Sequence, residues 1–469
     1  MSYADLLRRA FIIAALLVAW AMAVRAGGER SNVRGLAMGM TGTAPALGLE
    51  AIGVNPANLA THQDEGVAIG LFPLGVQVGS DFLTYGMYSD YLTGLETDTG
   101  RVDRHLSETD KQTILNAFRG DVGNVVVDAS VRPIGIAVGL GSAGAVAFSI
   151  TERVSAEVGL PRESLEFLFY GNTPGSLYTF EGSTLAAAWT REYALSYGID
   201  LGRVGPAQSF RVGGTIKAVH GFGYAELIRS HTRLATSEYG ALDGTMDVLA
   251  RVAGADPFRG DGDGGSFSLF PQPAGSGVGA DLGVAAIVGE AWTVGVSVTD
   301  IGSISWKYGL KEYVSTGTLR LDDPLSQSQR DSVESAVIGD ERPGSAFSTS
   351  LPTALRTGVS VAIHKLGWGR KLLAGELLLA LEYDRGFTSM PASFQSGRLG
   401  IGVEYAPIPL LPLRAGASFV GDRNAIMAIG FGIRTGIVDV DLAAENVDWI
   451  FTPRALSTGS MALGITVRI

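Results

Sequence analysis

Histidine is the commonest metal ligand and general base, so its spacing is tested first. The five histidines, His62, His105, His220, His231 and His364, are scattered, and no two stand in an H-x-x-x-H or H-E-x-x-H arrangement. The stretch RGDGDGGSF (259–267) sets Asp261 and Asp263 at alternate positions, as a calcium loop would. It lacks the remaining oxygen ligands and the closing Glu, so it reads as a flexible turn. RVGGTIKA and GVGADLGVAA contain glycine pairs of the kind that cradle phosphates, but both sit in strand patterns with no helix following. There is no G-x-S-x-G elbow and no cysteine, which removes thiolate nucleophiles and Cys-based metal sites. The expectation is a protein without a catalytic centre, metal or cofactor.

Chemistry being absent locally, the elements themselves carry the information. The chain has 469 residues, of which 64 are glycine and 18% are charged, with a net charge of −11. That charge offers no basic surface to release counterions from phosphate, so nucleic acid is not an expected partner. Residues 1–26 hold Arg8 and Arg9, a short apolar run from Ala10 to Val24, and small residues at Ala23 and Ala26. This is the layout of a cleaved secretory signal, too short to span a bilayer as a helix. Export also suits a chain that avoids cysteine.

Behind the signal, apolar residues alternate with small or polar ones. Met461, Leu463, Ile465, Val467 and Ile469 share one face, against Ala462, Gly464, Thr466 and Arg468. Leu399, Ile401, Val403 and Tyr405 oppose Gly400, Gly402 and Glu404; Leu413, Ala415, Ala417 and Phe419 oppose Arg414, Gly416 and Ser418. A period of two over such lengths is a β-strand with two unlike faces. A soluble sandwich would put dense Lys and Glu on the polar face. Here that face is Gly, Ala and Ser with isolated charges of both signs, which suits a lumen better than a solvated exterior. The pattern predicts an all-β, transmembrane antiparallel β-barrel of about 14 strands (14–16) in the outer membrane, contacting its lipid. Closure leaves no unpaired edge in hydrocarbon. Short helices are expected in loops at 106–118, capped by Ser107, and at 161–172, which is unusually apolar; 254–276 and 311–350 read as long external loops.

One stretch fits none of this: NVRGLAMGMTGTAPALGLEAIGVNPANLA (32–60), nearly uncharged and neither helix nor strand by period. Arg34, Ala37-Met38-Gly39-Met40, Gly42-Thr43 and Asn55-Pro56-Ala57 followed by Leu59 resemble the N-terminus of FadL-like outer-membrane proteins. Thr41 stands where that pattern usually has the first of two glycines. Asp281, flanked by Gly279 and Gly283, and Asp300-Ile301-Gly302 with Trp306 resemble two further strands of that superfamily. The resemblance implies that residues 27–65 form a hatch inside a barrel of residues 66–469, with Gly39, Met40, Asn55, Pro56 and Ala57 in the gating part. It implies passive uptake of hydrophobic small molecules of fatty-acid or hydrocarbon type. The PorV-like members of the superfamily imply an alternative, a docking barrel for another exported protein. From the residues alone, Pro56 holds Asn55 extended and the Asn amide can bond loop backbone, which serves a hatch or a plain turn before the first strand.

Overall fold

The structure is a computed structural model. It describes residues 30–97, 100–102, 104–171, 173–254, 271–322, 331, 339–369, 374–388, 397–420, 425–447 and 452–469. The signal-like residues 1–26 and the pair Asp261 and Asp263 lie outside the described residues.

Among the described residues, fourteen antiparallel strands close into a barrel. In chain order they are β1 (Val67–Ser80), β2 (Val122–Gly139), β3 (Ala145–Pro161), β4 (Thr184–Asp200), β5 (Ala207–Thr236), β6 (Gly275–Val288) and β7 (Trp292–Trp306). The second half comprises β8 (Ala354–Ala362), β9 (Glu376–Gly386), β10 (Arg398–Ala406), β11 (Leu413–Val420), β12 (Ile426–Arg434), β13 (Val438–Glu445) and β14 (Thr458–Arg468). Each pairs with its neighbour in sequence, and β14 returns to β1 with Leu71 opposite Ile465 and Val76 opposite Met461.

The alternation sets which face meets which medium. Leu74, Ile216, Leu282, Leu381, Ile401, Ile429 and Leu463 point outward and are exposed, while Asp128, Lys217, Asp281, Glu382, Asp384 and Arg414 point inward and are buried. A soluble protein would reverse these faces; an apolar outside and a polar inside are what a bilayer demands of a closed sheet. No helix among the described residues is long and apolar enough to cross a membrane. One end of the barrel carries the short connections 140–144, 201–206, 289–291 and 435–437, and the other carries the long ones, 81–121, 162–183, 237–274 and 307–353. The long-loop end is the external one.

One feature departs from the sequence reading, and the expected loop helices form. The stretch 311–350 is not simply loop: Lys311–Leu321 and Asp340–Pro343 are strands that join Leu242–Gly254 and the distal half of β5 in a sheet rising above the barrel. The short helices form at Glu108–Asn116, with Ser107 and Asp110 in a reciprocal cap, and at Arg162–Tyr170. The apolar side of the second is consumed by packing, Leu165 on Phe82 and Phe118, and Phe167 on Tyr178 and Phe180.

Candidate functional site

Residues 30–65 form no strand; they contain one turn of α-helix (Val33–Ala37) and two 3-10 segments (Gly48–Ala51 and Pro56–His62). They nevertheless touch all fourteen strands, which only a segment inside the ring can do. Arg30 meets β1, β2, β13 and β14 through Gln77, Asp128, Glu445 and Ser460. Leu49 and Leu59 pack on Ala145 and Ala147 of β3, and Ala37 lies on Gly430 of β12. The other contacts run from Pro56 on β4 and β5 to Gly39 on β10 and β11.

What makes the fit possible is glycine. On strand after strand, an inward glycine two to six residues from the short-turn end lies directly against segment backbone: Gly198 and Gly213 under Pro56, Gly295 under Thr43, Gly402 and Gly416 under Met38 and Gly39. A Cβ on Gly198 would stand 2.7 Å from the Pro56 carbonyl oxygen, and one on Gly402 2.5 Å from that of Met38. Real Cβ contacts are not this short, so the wall accepts the segment only where it has no side chain. Gly39 and Met40 both adopt φ of 66°, a left-handed pair that turns the chain against Ala417.

Side chains of the wall then fix the segment by its polar groups. Glu382 of β9 accepts from the Gly42 and Thr43 amides at 2.6 and 2.7 Å and from the Thr43 hydroxyl at 2.8 Å. Arg34 donates through Nε and Nη2 to the two oxygens of Glu404 at 2.8 Å each, the bidentate geometry guanidinium favours. Asn55 is extended, as its proline neighbour requires; its Nδ2 donates to the Thr43 carbonyl at 2.9 Å and to that of Val284 in β6 at 3.2 Å, while its Oδ1 accepts from the Ala57 amide. Asn55-Pro56-Ala57 opens the 3-10 turn Pro56–His62, and β1 begins only at Val67, so the motif does not itself start the first strand.

Asp281, Asp300 and Gly302 come together just beyond this seat, toward the external end, while Trp306 lies further out along β7, opposite Gly275. In the β6–β7 ladder, Thr299 and Asp300 face the single residue Asp281, a β-bulge with Asp300 at φ 57°. Asp281 Oδ1 accepts the Asp300 amide at 2.7 Å, and Lys217 of β5 bridges Asp281 at 2.9 Å, Asp300 and Glu192 at 3.5 Å. The extra residue shifts the inward set of β7 from Gly295 and Ser297 to Ile304 and Trp306. Trp306 is thereby buried against Tyr224, Phe347 and Leu351, with Nε1 donating to Thr349 at 2.9 Å. Sequence reasoning missed Lys217, Glu382 and the pairing of Glu404 with Arg34. Their signal was only an isolated charge on the small-residue face of a strand. Among the described residues no group of three or more His, Asp and Glu is arranged to hold a metal ion.

A family model described as a family of unknown function, DUF5723, matches residues 56–442. Among curated proteins none matches by sequence. Solved structures similar in overall course include the Pseudomonas putida toluene transporter TodX, at 10% identity over 93% of this chain and 98% of that one, with a TM-score of 0.46. A Pseudomonas aeruginosa FadL homologue is 10% identical over 96% and 99%, with a TM-score of 0.44. The monoaromatic hydrocarbon channel CymD is 11% identical over 95% and 98%, with a TM-score of 0.36.

Proposed function

We propose that this chain, which belongs to the DUF5723 family, is a non-enzymatic outer-membrane uptake channel whose lumen is closed by residues 30–65 acting as a hatch. One observation carries the reading: the segment crosses the lumen against all fourteen strands, yet it joins no ladder and is held by packing, hydrogen bonds and ion pairs alone. The barrel ladder closes between β1 and β14 without it. An element that the sheet does not need for closure can move while every backbone group of the wall stays paired. The cargo class, hydrophobic small molecules taken up passively, rests on the resemblance of Gly39-Met40 and Asn55-Pro56-Ala57 to the FadL-like N-terminus.

Deleting residues 32–60 from a folded, membrane-inserted barrel tests the hatch. Leakage of a small fluorescent dye from liposomes rises if the segment closes the lumen; unchanged leakage overturns the reading. Mass spectrometry of protein purified from outer membranes tests the cargo. Co-purifying fatty acid or hydrocarbon supports uptake, and a stoichiometric exported protein supports the docking barrel instead, with the sheet above the barrel as its surface.

A further inference from the structure

Resting on the hatch reading, we propose that the lumen opens by a swing of residues 41–62 about a fixed edge on the β10–β1 side, with Glu382 of β9 as the latch beside that edge, opposite Gly400 of β10. The two sides of the segment are bound differently. On the fixed side, Arg30 is fully buried and donates to Asp128 at 2.9 Å and to Glu445 at 3.0 Å. Arg34 is clasped by both oxygens of Glu404, which Arg414 holds in turn at 2.6 Å. Separating either arginine would leave unpaired charges in a closed interior, and such separations are strongly resisted.

Among the described residues, the swinging side has no such pair with the wall around β4–β9. Asn55 donates to the Val284 carbonyl, and Ser297 donates to that of Val54 at 2.6 Å. Both are neutral bonds that water replaces at small net cost. Glu382 is the exception, with three donors from Gly42 and Thr43 on one carboxylate. Residues 41–62 also cohere as a body, since Asn55 and Asn58 both donate to the Thr43 carbonyl at 2.9 Å. That body is tied to the rest at the left-handed pair Gly39-Met40 and at the entry to β1. Arg34 also reaches it through the Pro45 carbonyl at 2.6 Å and the partly exposed Glu50 at 3.0 Å, and Arg132 of β2 through the Leu49 and Ile52 carbonyls at 3.5 and 3.3 Å, contacts that the swing must stretch as well.

The chain has no cysteine, so introduced pairs report cleanly. A Cβ on Gly464 would lie 3.8 Å from the Val33 Cβ, and one on Gly358 3.3 Å from that of Thr43, both near disulfide geometry. Glu382→Gln keeps the shape but weakens the three charge-assisted bonds. It is expected to raise dye release from liposomes about tenfold, as roughly 1.4 kcal/mol of lost latch strength would. In that background, oxidised Thr43→Cys/Gly358→Cys returns release to the wild-type rate. Oxidised Val33→Cys/Gly464→Cys leaves it within twofold of its own reduced form, which is the folding control. Release stopped equally by both disulfides means that the whole segment moves and overturns the swing, as does a Glu382→Gln barrel that leaks no more than wild type. The hatch reading survives either result if deletion of residues 32–60 still opens the lumen.

Discussion

Filling the glycine seat should push the segment off the wall without touching the barrel ladder. Gly402 and Gly416 are adjacent on β10 and β11 and both face Met38-Gly39. A Cβ on Gly416 would fall 2.8 Å from the Gly39 Cα, against about 3.5–4.0 Å for an unstrained carbon contact. At Gly416 the obstructing atoms are all backbone, so no rotamer change relieves the clash, and the chains must part by roughly 1 Å. Overpacking of this kind costs about 1–3 kcal/mol per site. The two sites press on the same residues and so do not add independently; the double variant lies between the single value and about 6 kcal/mol. At about 1.4 kcal/mol per tenfold, Gly416→Val alone raises the displaced population by about 5-fold to 150-fold.

The assay is dye release from liposomes, with heat-modifiable migration on gels confirming a folded barrel. Gly459→Val is the matched control, because a Cβ there meets nothing within 4 Å. Release from Gly416→Val equal to that from Gly459→Val, with both barrels folded, refutes the claim that these glycines exist to seat the segment.

Three further outcomes follow from particular contacts. Arg34→Met leaves Glu404 with Arg414 and Arg434 only, and should lower unfolding stability by about 3 kcal/mol, the low end for breaking a buried pair; Arg34→Met/Glu404→Gln should recover part of it in denaturant titrations. Asn55→Ala removes donors to two carbonyls and the cap on Ala57, so hydrogen exchange across Ala57–Ala60 should speed up by about 5-fold to 150-fold, for a loss of about 1–3 kcal/mol. On the external helices, donation from the Tyr170 hydroxyl holds the Glu108 carboxyl below its ordinary range. A depressed carboxylate stabilises fully above its ordinary value and loses that contribution as pH falls through the depressed one, so the helix contact should loosen in acid. Tyr170→Phe should move the Glu108 titration, followed by NMR, back up toward ordinary glutamate.

How much of this was legible in the sequence depends on the range of the interaction. Alternation such as Leu399, Ile401 and Val403 against Gly400 and Gly402 is local, and it gave the strands, their faces and a count that the closed barrel of fourteen meets. The caps at Ser107 and Asn55 are equally local and form as their side-chain chemistry requires. The bulge left a trace: Val294, Val296 and Val298 step by two, and the next outward residue, Ile301, comes after three. No local pattern, however, joins Arg34 to Glu404 across 370 positions, or Gly42 and Thr43 to Glu382. Each charge was visible as an isolated intrusion on a small-residue face, but its partner depends on which strands the ring brings opposite. Loop strands such as Lys311–Leu321 were missed for the same reason, since they form on Leu242–Gly254 and carry little alternation of their own.

The inner wall divides its work by residue type, and the division bears on how the proposed hatch can be both specific and mobile. Interdigitated side chains would hold the segment by dense packing, and pulling it away would leave cavities on both surfaces. Glycine against backbone, as at Gly198 and Gly213 under Pro56, gives a close fit with few atoms to separate and no knobs to withdraw. Position must then come from elsewhere, and the wall supplies it through a few inward acids: Asp128, Glu382, Glu404 and Glu445. Such groups are strong while dry and weaken when water enters, because their attraction scales inversely with the local dielectric. If water reaches Glu382, as the proposed opening requires, the remaining contacts with β6 and β7 among the described residues are neutral and cheap to exchange. On the proposed swing, a seat of glycines fixed by buried acids holds firmly when sealed and yields once its latch is wet.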